Sequence, residues 1–181
     1  VFAAWEPPKL YANRNRWRDS KEYAAVVKAP LAEMKRDPSL ERTLSRYAEA
    51  RALVTGTTAI QGSNGKFTTI EESLVRNVDR RIFGEHRARS IVDLDRTPDA
   101  DRAALRARID AGEVTAVYVH LAEGVDSGSR QEFRDLVDSN LLTPATVIIH
   151  GTALEEADLD EVAAAGASLV WSPQSNLRLY G

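Results

Sequence analysis

The sequence predicts an α/β fold with a parallel sheet, because short apolar, β-branched segments alternate with helical patterns along most of the chain. Five such segments start roughly 23 to 33 residues apart, which is the length of a βα unit. Their apolar runs are continuous rather than alternating, and this is typical of parallel strands covered on both faces. The predicted strands are residues 57–61, 90–94, 115–119, 145–149 and 168–171, with a weaker candidate at 73–77.

The helices before the first strand are indicated by the residues at their ends. Residues 1–18 show no periodicity and are predicted to be irregular. Ser20 precedes a run of apolar residues with the spacing of one helix face, which predicts a helix. Pro30 is expected to kink this helix. Asp37, followed by a proline, predicts the start of a second helix, which should stop before Gly56.

Three further helices are predicted between the later strands. Pro98 opens the first of them, Ser129 and Glu132 form a capping box for the second, and Gly166 ends the third. After the last strand, residues 171–181 are polar and rich in turn-forming residues, so they are predicted to be a loop.

The composition limits the classes of protein to which the chain can belong. Its 181 residues are 43% hydrophobic and 28% charged, as in a globular domain, and the net charge of −3 argues against a general nucleic-acid binder. No apolar run reaches the roughly 18 residues of a membrane span, so we expect no membrane partner and a cytoplasmic location. Without cysteine, a metal site would have to use histidine and carboxylate ligands.

Two of the three histidines stand at the ends of successive predicted strands: His120 follows residues 115–119, and His150 follows 145–149. Ligands and metals bind at the carboxyl ends of parallel strands. Neighbouring strands lie about 4.8 Å apart, so both imidazoles could reach one ion. Imidazole suits zinc, iron and cobalt. The third histidine, His86, lies in an arginine-rich run and is expected on the surface.

A carboxylate accompanies the first of these histidines, because Glu123 follows His120 by three residues. Such a group beside a metal-activated water can take up its proton and return it to a leaving group. Simpler interpretations stay open from the residues alone. The histidines would then pack through hydrogen bonds, and the carboxylate would cap the next helix.

Three segments, in their order and spacing, resemble the amidohydrolase superfamily, and most nearly its branch of cytosine deaminase, guanine deaminase and the triazine hydrolases. They are HLAEG at 120–124, IHGTAL at 149–154 and SPQSNL at 172–177, and GTTA at 56–59 is similar to the second-strand motif of that branch. The likeness extends over about residues 50–181. It implies an incomplete (β/α)8 TIM barrel, about strands 2 to 7, with residues 1–181 forming a single partial barrel domain.

The resemblance also implies roles for single residues. His120 would be the metal ligand of the fifth strand, and His150 of the sixth strand would bind the metal or the attacking water. Glu123 would shuttle protons, while Ser175 and Asn176 would face the substrate. Binuclear relatives need a lysine on the fourth strand, where this sequence has none. A single divalent metal is therefore implied, with zinc expected and iron as the alternative.

The implied activity is hydrolysis of a C–N or C–Cl bond in a small cyclic substrate, by attack of a metal-bound hydroxide. The first-strand His-x-His pair and last-strand aspartate of the branch are absent, so the isolated chain is expected to be inactive. Its open sheet edges would favour homo-oligomers. The alternative is a complete, non-catalytic, doubly wound α/β module that binds a ligand or partner, with both histidines structural. No glycine-rich phosphate loop precedes a helix, which argues against a nucleotide-binding domain.

Overall fold

The computed structural model describes residues 5–60, 73–77 and 87–181. These form two compact units, one of Trp5 and the described residues from 21 to 88, the other of residues 6–20 and 89–181. The described helices are α1 (Arg14–Arg18), α2 (Lys21–Tyr23), α3 (Ala29–Met34), α4 (Pro38–Val54), α5 (Asp99–Asp110), α6 (Ser127–Asp138), α7 (Glu156–Ala164) and α8 (Pro173–Tyr180). The described strands are β1 (Ala59–Ile60), β2 (Arg76–Asn77), β3 (Ala88–Ile91), β4 (Ala116–Leu121), β5 (Thr146–His150) and β6 (Ser168–Val170). None of these helices has both the length and the apolar character needed to cross a membrane.

The first unit begins with a helical segment that a proline interrupts. Helix α2 passes into a π-helical turn, Ala24–Lys28, and α3 follows with Pro30 in its first turn. Proline has no N–H with which to continue the α-helical bonding, and the wider π turn accommodates this interruption. Where the sequence predicts a kink at Pro30, the structure therefore has a π turn directly before it.

Helix α4 begins where the sequence predicts, because the Asp37 carboxylate accepts a hydrogen bond from a backbone N–H of the first turn at 2.8 Å. Gly56 follows the helix with a φ of +85°, a conformation that favours glycine. Strand β1 then pairs in parallel with β2, which lies within the weaker candidate at 73–77. The last residue of the predicted strand 57–61 lies outside the described residues, as does His86.

The second unit is built on a four-stranded sheet in the order β3–β4–β5–β6. Strands β4 and β5 pair in parallel, as do β5 and β6, which confirms the predicted parallel sheet. The register sets Leu121 opposite His150, so both strands end at the same edge of the sheet. The core on one face of this sheet contains Val117, Val119, Leu121 and Ile148 from the strands and Phe133, Leu136 and Val162 from the helices.

The opposite face of the sheet is less covered than the sequence predicts. Tyr118, His120, Val147 and Ile149 are only partly buried, and all three residues of β6 are exposed. The buried apolar residues of α6 and α7, which are Phe133, Leu136 and Val162, join the core on the other face. The prediction that both faces are covered is therefore wrong for the described residues. The half-covered face is the one that carries the His120 side chain.

Helix α1 lies in the stretch 1–18, which the sequence predicts to be irregular. Asn13 caps it, because its side-chain oxygen accepts a hydrogen bond from the Arg16 N–H at 3.1 Å. The Asn13 amide nitrogen also donates to an Asp126 carboxylate oxygen at 2.6 Å. The prediction holds for residues 5–12, which form no helix or strand, and is wrong for Arg14–Arg18, where a distant contact and not a local apolar period stabilises a short helix.

Helix α6 begins with a different cap from the predicted one. Asp126 is the N-cap residue, since its Oδ1 accepts a hydrogen bond from the Ser129 N–H at 2.9 Å. The Glu132 carboxylate accepts from the Ala122 N–H at 2.8 Å instead of bonding to the start of its own helix. The predicted capping box of Ser129 and Glu132 is therefore wrong.

Residues 171–181 contain helix α8 where the sequence predicts a loop. Pro173 occupies its first turn, where a missing N–H breaks no helical hydrogen bond. Asn176, Leu179 and Tyr180 are buried with the i, i+3, i+4 spacing of one helix face. The prediction fails because only one of these three residues is aliphatic, so the apolar period of the helix is hidden in the sequence.

Candidate functional site

The two strand-end histidines lie side by side. His120 is close to the end of β4 and His150 is the last residue of β5, with ring centroids 5.5 Å apart and planes inclined by 43°. His120 Nδ1 is buried and has no hydrogen-bond partner at normal geometry among the described residues. Two imidazoles at this separation could contact one small ligand.

Glu123 places a buried carboxylate beside this pair. The residue is 5% exposed, and its Oε2 lies 3.5 Å from His150 Nε2. Its other oxygen, Oε1, accepts a hydrogen bond from the Tyr180 hydroxyl at 2.8 Å. One carboxylate oxygen is thus engaged with helix α8, and the other faces an imidazole.

An uncommon backbone conformation brings these side chains together. Ala122 and His150 have φ values of +52° and +81°, in the left-handed region that residues other than glycine seldom adopt. Gly151 continues with a φ of +63°, and its N–H donates to the Leu121 carbonyl oxygen at 3.1 Å. Such strained residues persist only where surrounding bonds fix them, and they cluster at functional sites.

Helix α8 contributes Asn176 to the site. In the orientation that satisfies both ends of its amide, the nitrogen donates to His150 Nδ1 at 2.8 Å and the oxygen accepts from Trp171 Nε1 at 3.2 Å. A neutral His150 then carries its hydrogen on Nε2, the atom nearest the carboxylate. The Ser175 hydroxyl instead donates to a backbone carbonyl at the start of the helix, at 3.1 Å. The structure thus brings Asn176, and not Ser175, to the histidines.

A buried arginine, which no sequence pattern indicated, lies behind His120. Arg14 is 2% exposed, and its Nη1 donates to the His120 carbonyl oxygen at 3.0 Å. Its Nε lies 3.2 Å from an Asp93 carboxylate oxygen, and its Nη2 lies 3.0 Å from Glu132 Oε1. Since Glu132 also accepts from the Ala122 N–H, the pair fixes the backbone on both sides of the end of β4.

Burial changes the proton affinity of His120. Burial has the largest effect and lowers the pKa of His120, and the neighbouring His150 lowers it further. These two effects outweigh that of Glu123, which raises the pKa. The imidazole therefore favours its neutral form in the folded protein. Neutral imidazole is also the form that binds metal ions.

We expect stability to depend on pH through Glu132. Burial raises the pKa of this carboxyl to about 7, although the Arg14 guanidinium opposes the shift. A carboxyl with a raised pKa contributes stability that is complete below its ordinary value of 4.5 and is lost as the pH rises through 7. Relative to Glu132→Gln, the wild-type free energy of unfolding should fall by roughly 3 kcal/mol over this range.

Urea unfolding of both proteins at several pH values measures this difference. The lowered pKa of His120 gives stability the opposite pH dependence, but both proteins contain His120, so its effect cancels in the comparison. Parallel stability profiles for the wild type and Glu132→Gln would contradict the prediction.

The donor chemistry of the site fits part of a metal centre. Within residues 5–60, 73–77 and 87–181, no group of three or more histidine, aspartate or glutamate side chains is arranged to hold a metal ion. Two adjacent imidazoles, one with a buried nitrogen that has no hydrogen-bond partner at normal geometry among the described residues, are nevertheless ligands that zinc and iron accept. Catalytic zinc takes three protein ligands, so the described residues offer an incomplete set.

Solved structures with a similar fold include two zinc-containing enzymes. One is an adenosine deaminase from Xanthomonas campestris with bound zinc, at 19% identity and a TM-score of 0.56, with 87% of this chain and 43% of that chain covered. The other is a mutant of the atrazine chlorohydrolase TrzN from Arthrobacter aurescens TC1, complexed with zinc and atraton. It has 13% identity and a TM-score of 0.62, with 94% of this chain and 53% of that chain covered.

Both of these proteins belong to the amidohydrolase superfamily, so the predicted resemblance is confirmed as a similarity of fold. The chain spans about half the length of the two proteins. No protein-family model and no curated protein sequence matches it.

Proposed function

We propose that this chain carries reacting groups of a metal-dependent hydrolase that cleaves a C–N or C–Cl bond in a small cyclic substrate. The observation that carries the proposal is the buried Glu123 carboxylate, 3.5 Å from one of two adjacent strand-end imidazoles. A fold similar to those of a zinc-containing deaminase and a zinc-containing chlorohydrolase supports it. We also propose that residues 1–181 form about strands 2 to 7 of a single (β/α)8 barrel domain.

His120 would be a ligand of one divalent ion, zinc or alternatively iron, and His150 would bind either that ion or the attacking water. When bound, such an ion acts as a Lewis acid and makes water a nucleophile near neutral pH. His120 offers its ring as a ligand. His150 can donate from Nε2 to the water in the tautomer that Asn176 favours, whereas a reversed Asn176 amide would free Nε2 to coordinate the ion.

Glu123 would move the proton during the reaction. Its Oε2 takes the proton that water releases as the water oxygen bonds to the ring carbon. The same oxygen returns that proton to the departing nitrogen as the C–N bond breaks, which leaves the carboxylate ionised again. A chloride would leave as an anion, and the proton would pass to solvent.

Helix α8 would orient the imidazole and line the substrate site. Asn176 contacts His150, so its proposed role is to fix the ring and its tautomer. Substrate contact by Ser175, whose hydroxyl bonds within the helix, stays a prediction of the family resemblance.

A turnover screen tests the proposed function. The purified protein that contains this chain, expressed with zinc, is assayed against amino-substituted azines, chlorotriazines and cyclic amides. Release of ammonia or chloride, or ring opening, is the readout. We expect turnover of at least one class, lost in His120→Ala and kept in His86→Ala. A zinc-loaded protein that turns over none of these classes would argue against the proposal.

We expect the purified protein used in the turnover screen to contain one equivalent of divalent metal per subunit. Elemental analysis of wild type and His120→Ala should show that the variant has lost most of the metal, because it lacks an imidazole ligand. His150→Ala separates the two roles of that residue: metal is lost if His150 is a ligand and kept if it binds water. Two equivalents, or none after expression with added metal, would contradict the prediction. The isolated 181-residue polypeptide should be inactive and nearly metal-free, because a catalytic zinc takes three protein ligands and the described residues offer two adjacent imidazoles.

A further inference from the structure

A directed chain of hydrogen bonds ends on the Glu123 carboxylate. The Trp17 indole Nε1 donates to the Tyr180 hydroxyl at 2.8 Å, and this hydroxyl donates to Glu123 Oε1 at 2.8 Å. An indole N–H can only donate and an ionised carboxylate can only accept. The hydroxyl must therefore accept from Trp17 and point its single hydrogen at Glu123.

Two of the three residues in this series of hydrogen bonds are buried. Tyr180 is 6% exposed and Glu123 is 5% exposed, so water does not compete freely for their contact. The backbone next to Tyr180 is also fixed, because the Tyr11 N–H donates to the Leu179 carbonyl oxygen at 2.7 Å. Burial has the largest effect and raises the pKa of Tyr180, and the charge of Glu123 raises it further. The hydroxyl therefore stays protonated and remains a donor.

We propose that Tyr180 is a positioning residue that makes Glu123 Oε2, and not Oε1, the oxygen that carries the transferred proton. The inference rests on the proposed function of Glu123. The Tyr180 hydroxyl occupies Oε1 and holds the carboxylate plane, which leaves Oε2 directed towards His150 Nε2 at 3.5 Å. Trp17 supports this arrangement by fixing the direction in which the hydroxyl points. The tyrosine keeps its own proton throughout.

The hydrogen-bond chain can be tested without any activity, by NMR of the 15N-labelled protein. In Tyr180→Phe the Trp17 indole N–H loses its acceptor, so its proton resonance should move upfield. Glu123→Gln should move the same resonance by a smaller amount, because a neutral acceptor polarises the intervening hydroxyl less than a carboxylate does. A Trp17 resonance that stays in place in both variants would overturn the inference.

Tyr11→Phe is the matched control for these variants. Tyr11 is also buried at 6% exposure, but its hydroxyl has no hydrogen-bond partner among the described residues. Removing that hydroxyl should leave the Trp17 resonance and the turnover unchanged. A Tyr11→Phe effect as large as that of Tyr180→Phe would mean that loss of any buried hydroxyl disturbs the site, and it would overturn the assignment to Tyr180.

Kinetics test the link to proton transfer, with a substrate found in the turnover screen. Tyr180→Phe should lower kcat by roughly ten- to a hundredfold, with KM little changed. This is the rate effect expected when a hydrogen bond to a charged group is lost. Because Tyr180 acts through Glu123, adding Tyr180→Phe to Glu123→Gln should lower kcat no further. A multiplicative loss in the double variant, or a full kcat in Tyr180→Phe, would overturn the inference.

The outcomes separate this inference from the function on which it rests. If Glu123→Gln keeps full turnover, the proposed role of Glu123 is wrong, and the positioning role of Tyr180 is wrong with it. If Glu123→Gln loses turnover while Tyr180→Phe keeps it, only the inference about Tyr180 is wrong.

Discussion

Replacing Glu123 by glutamine is expected to lower kcat by at least about a hundredfold, the usual contribution of a general acid or base. Glutamine keeps the size of the side chain and can still accept the hydrogen bond from Tyr180, but it cannot take up a proton at neutral pH. The bound metal should be retained, because Glu123 is proposed to be a proton shuttle and not a ligand. Steady-state kinetics and elemental analysis of the same preparation measure both quantities.

Glu113→Gln is a suitable control for this experiment. Glu113 is an exposed carboxylate, 3.2 Å from Arg108 and away from the two histidines, so its removal should leave kcat and metal content unchanged. Loss of metal together with activity in Glu123→Gln would make Glu123 a ligand. Full turnover in that variant would remove it from the reaction.

The sequence predicts those parts of the site that depend on neighbouring residues. His120 and His150 could be assigned to strand ends because an apolar run precedes each of them and a loop follows. The parallel sheet then brings the two rings together, since parallel strands end at the same edge. The start of α4 was likewise predictable, because Asp37 bonds to its own helix.

The parts that the sequence did not predict depend on contacts between residues far apart in the chain. Arg14 contacts His120 and Trp17 contacts Tyr180, and these pairs lie 106 and 163 residues apart. Arg14 stands among other arginines in a segment without periodicity, so nothing local distinguishes the buried guanidinium from the exposed ones. Only the folded structure reveals which of these cations is enclosed.

Competition between local signals explains the wrong helix start at α6. Ser129 with Glu132 matches a capping box, but Asp126, three residues earlier, matches an N-cap equally well. The structure uses Asp126, because the Glu132 carboxylate is bonded to Ala122 and Arg14. Glu132, which the capping-box motif assigns to the start of α6, thus supports the loop of the candidate site instead.

Replacing Arg14 by methionine is expected to lower the free energy of unfolding by about 3–5 kcal/mol, the cost of breaking a buried ion pair by removing one partner. The variant leaves Asp93 and Glu132 without the guanidinium that faces both, and it removes the hydrogen bond to the His120 carbonyl oxygen. Urea unfolding at pH 8, above the pKa of about 7 that Glu132 has beside Arg14, measures the loss relative to a wild type in which both carboxylates are charged. The dependence of stability on urea should keep its slope if the folded state stays compact.

Arg18→Met is the matched control, because Arg18 also pairs with Asp93, at 2.9 Å, but has a side chain that is 32% exposed against 3% for Arg14. Water can replace the contact of an exposed ion pair, so this variant should lose at most about 1 kcal/mol. Both variants remove one guanidinium from Asp93, so the difference between them measures the burial of Arg14 together with its further contacts to Glu132 and the His120 carbonyl oxygen. Equal losses in Arg14→Met and Arg18→Met would mean that the buried position of Arg14 adds nothing to the stability of the β4 end, and that Arg14 does not fix the backbone of His120.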